Sequence, residues 1–211
     1  MYTPTPFAVS DKKRIHAFLK DNSFGMLVTA MPGEAPVATH VPFLFDPTDG
    51  PQGRLSAHMA RANPHWQALQ KTPEALVIFQ GAHGYVSPRY YDPGPAVPTW
   101  NYEAAHVYGA PRVLNTEADA RRLLHMLSAF HEKAAEHPWT MGKEPPAFID
   151  DMVAGIVAFE IDITRIEMKA KLSQNKSPAT QEKAINTLET SVHKSEQILA
   201  DVMRQRLADD D

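Results

Sequence analysis

The 211-residue sequence contains no cysteine. That excludes disulfides, thiolate nucleophiles and cysteine-ligated metals. No stretch approaches ~18 consecutive apolar residues, so no helical membrane span is expected. The opening MYTPTPFAVSDKK lacks a positive region followed by an apolar run, so no secretory signal is read there. Positive charge is scarce as well: 21 Lys and Arg against 25 Asp and Glu leave a formal net charge of −4. Gripping a polyanion through its phosphates needs the opposite balance. The chain has no P-loop, GxGxxG, GxSxG or HExxH, and no helix-turn-helix pattern. What is present, 43% apolar and 22% charged residues, suits a globular protein. The expectation is a soluble, cytoplasmic chain with at most weak affinity for DNA.

Ser10 is placed to cap a first helix over DKKRIHAFLK, with Ile15, Phe18 and Leu19 on one face. Two strands, Phe24 to Ala30 and Val37 to Phe45, join through Pro32-Gly33 as a hairpin. A third strand spans Arg54 to Met59. Asn63 as cap and Pro64 as first residue then open a short helix. ALVIFQ, residues 75 to 80, reads as a buried strand, with a short one at Tyr85-Val86 beyond Gly81. SPRYYDPGPAVP, residues 87 to 98, holds four prolines and reads as an irregular loop. Trp100 to Leu114 is a long strand expected to break near Gly109 to Pro111. Thr116 and Asp119 begin a helix that carries Leu123, Leu124, Leu127 and Phe130.

Residues 156 to 172 carry the most specific structural signal. Val157, Phe159, Ile161 and Ile163 alternate with polar neighbours; after Arg165 the apolar set resumes at Ile166, Met168, Ala170 and Leu172. The parity slips by one residue, which marks a bulge or bend between two strand halves. Such bends let a sheet curl. The fold class is therefore α+β, mainly β: an antiparallel barrel with peripheral helices. From Ser177-Pro178 the chain changes character. Ile185, Leu188, Val192, Leu199 and Val202 form a narrow apolar stripe on a polar helix, too polar for a core position, with a frayed end at Asp209 to Asp211. Residues 1–177 read as one domain and 178–211 as a helical extension packed on the barrel or on a partner chain.

Candidate chemistry centres on HMARANPHW, residues 58 to 66. His58, Arg61 and Asn63 precede a helix N-terminus, whose unpaired N–H groups and the arginine fork suit a phosphate. A surface turn with a solvated arginine fits the same residues. Ten histidines raise the question of metal or haem, but their spacing matches no metal motif, so no metal site is assigned. Trp100, Tyr102, Tyr85, Tyr90 and Tyr91 flank the proline-rich loop and suit either a flat ligand ring or barrel core. KAKLSQNK puts Lys169 and Lys171 on one strand face, with Gln174 and Asn175 following, as a solvated edge or as half of an anion site. No general acid, base or other catalytic residue is identified.

Seven segments, MYTPTPF, FGMLVT, PVATHVPF, HMARANPHW, VIFQGAHGYVSPRYY, VPTWNYEAAHVYG and KLSQNKS, follow in order from residue 1 to about 177. With them the sequence resembles the FMN-binding negative transcriptional regulator family, the PaiB-type proteins. The resemblance implies a split β-barrel of the pyridoxamine-phosphate-oxidase type, a homodimer holding FMN between its subunits. It implies phosphate contacts from His58, Met59, Ala60, Arg61 and Asn63. Thr39, His40 and Val41 would run beside the isoalloxazine, with Thr99, Trp100 and Asn101 approaching from the loop side. Gln80, Lys171, Gln174 and Asn175 complete the implied set. The charge balance points to indirect or weak DNA binding for such a regulator. The same barrel type suits an FMN-dependent oxidoreductase or a haem-binding protein, and fold alone does not choose between them.

Overall fold

The computed structural model describes residues 1–91 and 94–209. Asp92 and Pro93 of the proline-rich loop, and Asp210 and Asp211 of the expected frayed end, lie outside the described residues. In chain order the elements are β1 (Ala8–Val9), α1 (Lys12–Asp21), β2 (Phe24–Thr29), β3 (Val37–Pro42), β4 (Leu44–Asp46), β5 (Arg54–Ala60) and α2 (His65–Leu69). They continue with β6 (Ala75–Val86), β7 (Thr99–Leu114), α3 (Glu117–Glu132), α4 (Pro146–Ala154), β8 (Ile156–Lys171), α5 (Pro178–Glu189) and α6 (Lys194–Asp209). The strands form one sheet in the order β3-β2-β6-β7-β8-β5-β4, with β1 paired to β8. The pairs β2–β3, β2–β6, β4–β5, β5–β8 and β1–β8 are all antiparallel.

The parity slip of β8 is visible in its burial. Ile161 and Ile163 are inside at odd positions, then Met168 and Ala170 are inside at even ones. The intervening Thr164 and Arg165 are exposed. Side chains alternate with period two, so an extra exposed position is what moves the buried set to the other parity.

Two expected breaks are absent. β6 runs unbroken through Gly81 for 12 residues, and β7 runs through Gly109 for 16. Both glycines permit close approach rather than a turn. A Cβ on Gly81 would lie 2.6 Å from the Phe18 ring, and one on Gly109 would lie 2.4 Å from the Asp162 carbonyl oxygen. The first helix is held by Asp11, whose Oδ1 accepts from the Arg14 N–H at 2.8 Å. At the third, the expected box is present: Thr116 Oγ1 accepts from the Asp119 N–H at 3.1 Å and donates to its carboxylate at 2.6 Å.

Backbone contacts divide the chain into two compact units. One comprises Met1–Phe18, Gln80–Ala105 and Glu167–Asp211; the other comprises Leu19–Phe79 and His106–Ile166. The core of the first is built from Ala170, Leu172, Ala184, Ile185, Leu188, Leu199, Ala200 and Met203. The tail thus forms two helices, with Ile185, Leu188 and Leu199 fully buried, where the sequence pattern suggested one polar helix. The break falls at Ser191–His193: Ser191 Oγ accepts from the His193 N–H at 3.1 Å, and its carbonyl accepts from Gln197 Nε2 at 2.8 Å. Val192, part of the expected apolar stripe, sits in that turn and is 92% exposed. In the second unit, Leu114, Ala120, Leu123, Leu127, Ile149, Val153 and Ala158 form one cluster. There Phe43 also meets Phe79 and Phe159 edge-on, at centroid distances of 5.6 and 6.2 Å, within the favourable range for aromatic pairs.

Candidate functional site

The candidate residues fall into two groups, one in each unit. In the second unit, His58, Met59 and Ala60 end β5 opposite Ala158, Val157 and Ile156 of β8. The chain then turns: the Arg61 N–H donates to the Gly155 carbonyl and the Asn63 N–H to the Ala60 carbonyl. Arg61 does not present its fork outward. Nε donates to the Ala154 carbonyl at 2.8 Å and Nη2 to the Ile156 carbonyl at 2.7 Å. This pins the α4–β8 junction and leaves Nη1 as the uncommitted nitrogen among the described residues. Trp66 Nε1 donates to the Arg61 carbonyl at 3.0 Å, closing the turn.

Asn63 stabilises the turn as an Asx bend. Its Oδ1 accepts from the His65 N–H at 3.0 Å, and its Nδ2 donates to Thr39 Oγ1 at 3.2 Å. Pro64, expected at the first helical position, is the cap of a five-residue helix. A residue the sequence did not single out completes the group. His65 is buried, with Nε2 2.9 Å from Thr29 Oγ1 and Nδ1 2.8 Å from Thr39 Oγ1. Burial lowers its pKa below the usual imidazole value. Burial also lowers that of His58, whose Nδ1 is enclosed and has no hydrogen-bond partner among the described residues. On β3, Val41 is buried while His40 is exposed and stacks on Phe24 at 6.0 Å. A cavity of about 650 Å³ lies beside Arg61 and Trp66, walled by Val113, Leu114, Val153 and Val157. That volume is in the range of small-molecule pockets. Of the candidate residues, Arg61 alone among those described lines it.

In the first unit, Thr99, Trp100 and Asn101 open β7 and Lys171 closes β8. Lys171 Nζ donates to Thr99 Oγ1 and to the Trp100 carbonyl. Burial, and then the charge of Lys169, push its pKa below the usual ammonium value. Asn101 is fully buried; its Nδ2 donates to Ser173 Oγ at 2.9 Å, and its Oδ1 has no partner among the described residues. Ser173 stands at φ +66°, a left-handed conformation unusual for a residue with a Cβ, and its hydroxyl also meets the Tyr91 hydroxyl at 3.1 Å. Thr99, Asn101, Lys171 and Asn175 line a cavity of about 150 Å³ together with Tyr91, Val97, Ser173 and Lys176. Gln174 turns instead to the backbone, donating to the Pro6 and Ala170 carbonyls. Trp100 is half exposed and stacks on His83 at 6.0 Å. Gln80 is exposed on β6. Among the described residues, no three His, Asp or Glu side chains gather as a metal site, and no helix is long and apolar enough to cross a membrane.

Comparison with known proteins bears on this arrangement. Residues 1–165 match the domain family described as "Putative FMN-binding domain". The chain is 34% identical over 207 residues to Protease synthase and sporulation protein PAI 2 of Bacillus subtilis, covering 98% of both chains. Among solved structures, it is similar to a conserved hypothetical protein of Mycobacterium tuberculosis (TM-score 0.59, 12% identity, 84% of this chain and 94% of that one). It is also similar to the FAD and haem binding protein of Mycobacterium smegmatis (TM-score 0.57, 16% identity, 84% and 79%). At such identities the structural likenesses speak for the fold alone. The chain belongs to this FMN-binding-domain family, and its fold is the mainly antiparallel split barrel of these structural neighbours.

Proposed function

We propose that the chain is a flavin-binding regulatory protein of the PaiB type. Its flavin is FMN, and it works as a cytoplasmic homodimer with FMN held between the two subunits. Residues 1–177 form the flavin-binding part and 178–211 a helical extension. The observation that carries this reading is the β5–α2 turn, which lies inside the matched range. Asn63 and His65 are satisfied internally, whereas among the described residues His58 keeps an enclosed ring nitrogen without a partner and Arg61 keeps one uncommitted nitrogen. A neutral imidazole can donate from a ring nitrogen, and the Arg61 guanidinium, three residues on, supplies positive charge. Phosphate oxygens accept from both.

His58, Met59, Ala60 and Arg61 thus hold the phosphate end, with Asn63 fixing the turn that presents it, and Thr39, His40 and Val41 run beside the ring. Thr99, Trp100, Asn101, Gln80, Lys171, Gln174 and Asn175 form a second contact set. Bound FMN supplies hydride and electron transfer; the residues of the chain bind and orient it. No acid or base is assigned, and the regulator reading is preferred to an oxidoreductase because the Bacillus subtilis relative is named for protease synthesis and sporulation. With a net charge of −4, direct DNA binding falls in the non-specific range of about 10⁻⁴–10⁻⁶ M at physiological salt.

The test is an absorbance spectrum of the purified protein followed by fluorescence titration with FMN and with riboflavin, which lacks the phosphate. FMN should bind at least about tenfold more tightly than riboflavin, and Arg61→Ala should remove about 1.5–3 kcal/mol from FMN binding only. Equal affinity for the two flavins would overturn the phosphate assignment, and a haem Soret band in place of flavin bands would overturn the cofactor.

A further inference from the structure

Another cavity, of about 200 Å³, lies in the second unit and includes none of the residues assigned to flavin. One wall follows from the spacing of α3. His125, Ser128, Ala129 and Glu132 fall at i, i+3, i+4 and i+7, so they share one face of that helix. The opposite wall is the chain at residues 138–141, with Trp139 in it. A dry apolar cavity of about 150 Å³ is enough for benzene, so this one suits a single ring or a short alkyl chain.

Trp139 is fixed from two sides. Its backbone N–H donates to Glu132 Oε2 at 3.0 Å, and its indole Nε1 donates to Glu144 Oε1 at 3.2 Å. Glu144 is not a lining residue, so the one polar atom of the indole is spent outside and ring carbon is left for the cavity. Glu132 is half-buried, and its Oε1 has no partner among the described residues. No cation among those residues pairs with its carboxylate, and Asp92, Pro93, Asp210 and Asp211 could not supply one. The adjacent Lys133 lends its stem to the cavity, while its ammonium stands 5.4 Å from the ring centroid of Phe130, which does not line it. An aromatic wall beside a half-buried carboxylate calls for a cation with an apolar body.

We propose that this cavity binds a small organic ammonium ion, the protonated form of an alkyl- or arylamine. Its N–H groups donate to Glu132, and its carbon body lies against Trp139. Both attractions favour the same ligand, since a carboxylate takes a charge-assisted hydrogen bond and indole is the best aromatic partner for a cation. An apolar side chain from a partner protein would use the carbon walls alone and would desolvate the carboxylate without compensation. The proposal stands independently of the flavin reading.

The test is calorimetric titration of the full chain with benzylammonium chloride and with benzyl alcohol, a neutral counterpart of similar size, at matched ionic strength. Benzylammonium should bind at least about tenfold more tightly, the size of one hydrogen bond to a charged group. Glu132→Gln keeps an acceptor for the Trp139 N–H, so it should bring the ammonium down to the affinity of the alcohol and leave the alcohol unchanged. Glu144→Gln, outside the cavity, should leave the preference intact. Trp139→Leu should weaken both probes. Equal affinity for the two probes would overturn the proposal and mark the cavity as an apolar slot for a partner's side chain. No binding of benzylammonium in the millimolar range, a preference that survives Glu132→Gln, or unchanged binding in Trp139→Leu would overturn it as well. No variant touches a residue assigned to flavin, so a failure here leaves that reading standing.

Discussion

Asn63 and Asn101 occupy comparable places, each beside a strand end and next to a cation, yet their amides are treated in opposite ways. Asn63 has both edges paired, one with the His65 N–H and one with Thr39. Asn101 has one edge paired and one without a partner among the described residues. Their cations follow the same division. Arg61 donates to two backbone carbonyls, whereas Lys171, which holds one backbone carbonyl, and Lys176 line a cavity with no carboxylate among the described residues. A closed polar network fixes a turn, while an open one leaves something for a ligand to complete. Polar residues close to a candidate site are thus not equivalent, and the pairing of each atom separates them better than residue type does.

The largest effect is expected where the closed network is cut. His65→Ala removes the partner of Thr29, which is 2% exposed, and leaves a cavity. Urea unfolding should show a loss of about 3 kcal/mol; a loss below about 1 kcal/mol would mean that the Thr29–His65–Thr39 chain is not what holds the turn. Arg61→Ala should follow at about 1.5 kcal/mol, since charged donors to two carbonyls are lost at an exposed position. Arg61→Lys should recover part of it, because a single ammonium cannot span both carbonyls.

Acid probes the closed network from another side. Burial keeps His58 and His65 below the ordinary imidazole value of about 6.5. The unfolded chain therefore takes up protons that the folded chain refuses. Their contribution is fully present above about pH 6.5 and is lost as pH falls through that value toward the folded-state pKa values. His65→Gln should flatten this decline in a series of urea midpoints; an unchanged slope would assign the decline to other groups.

In the open network the same kind of substitution should do little to stability. Asn101→Leu loses the bond to Ser173 but also removes an unsatisfied oxygen, so its unfolding free energy should stay within about 1 kcal/mol of the parent. A loss as large as that of His65→Ala would show Asn101 to be a structural member like Asn63. The smallest effect belongs to Val192→Thr, at a turn position 92% exposed, where a change within about 0.5 kcal/mol is expected.

Several elements were legible in the sequence because their causes are local. The parity slip of β8 needs only the alternation of side chains, and the start of α3 needs only Thr116 and Asp119 three residues apart. The misreadings share one cause. Gly81 and Gly109 read as breaks, but both serve neighbours remote in sequence, Phe18 and the Asp162 carbonyl. Arg61 reads as an outward cation because the carbonyls it holds are 93 and 95 positions away. Asn101 and Ser173 are 72 positions apart, so no sequence signal marks the bond between them or the Asn101 oxygen left unpaired among the described residues. The tail reads as polar because its buried positions come from two short helices, each contributing a narrow face. His58, Arg61, Thr99, Asn101 and Lys171 were legible as candidates by type, but the pairing of each atom was not.

The close approach at Gly109 also sets how this protein can vary. A strand position normally tolerates some exchange among small or β-branched residues, so its history is written in conservative substitutions. With a carbonyl oxygen 2.4 Å from where the first side-chain carbon would stand, Gly109 has no such neighbours in sequence space. Alanine there meets the same backbone atom as tryptophan. In a saturation library the position would show no gradient with size or polarity, and escape would need a compensating shift of β8 at Asp162. Two strands that cannot be moved apart by single substitutions must change together or not at all.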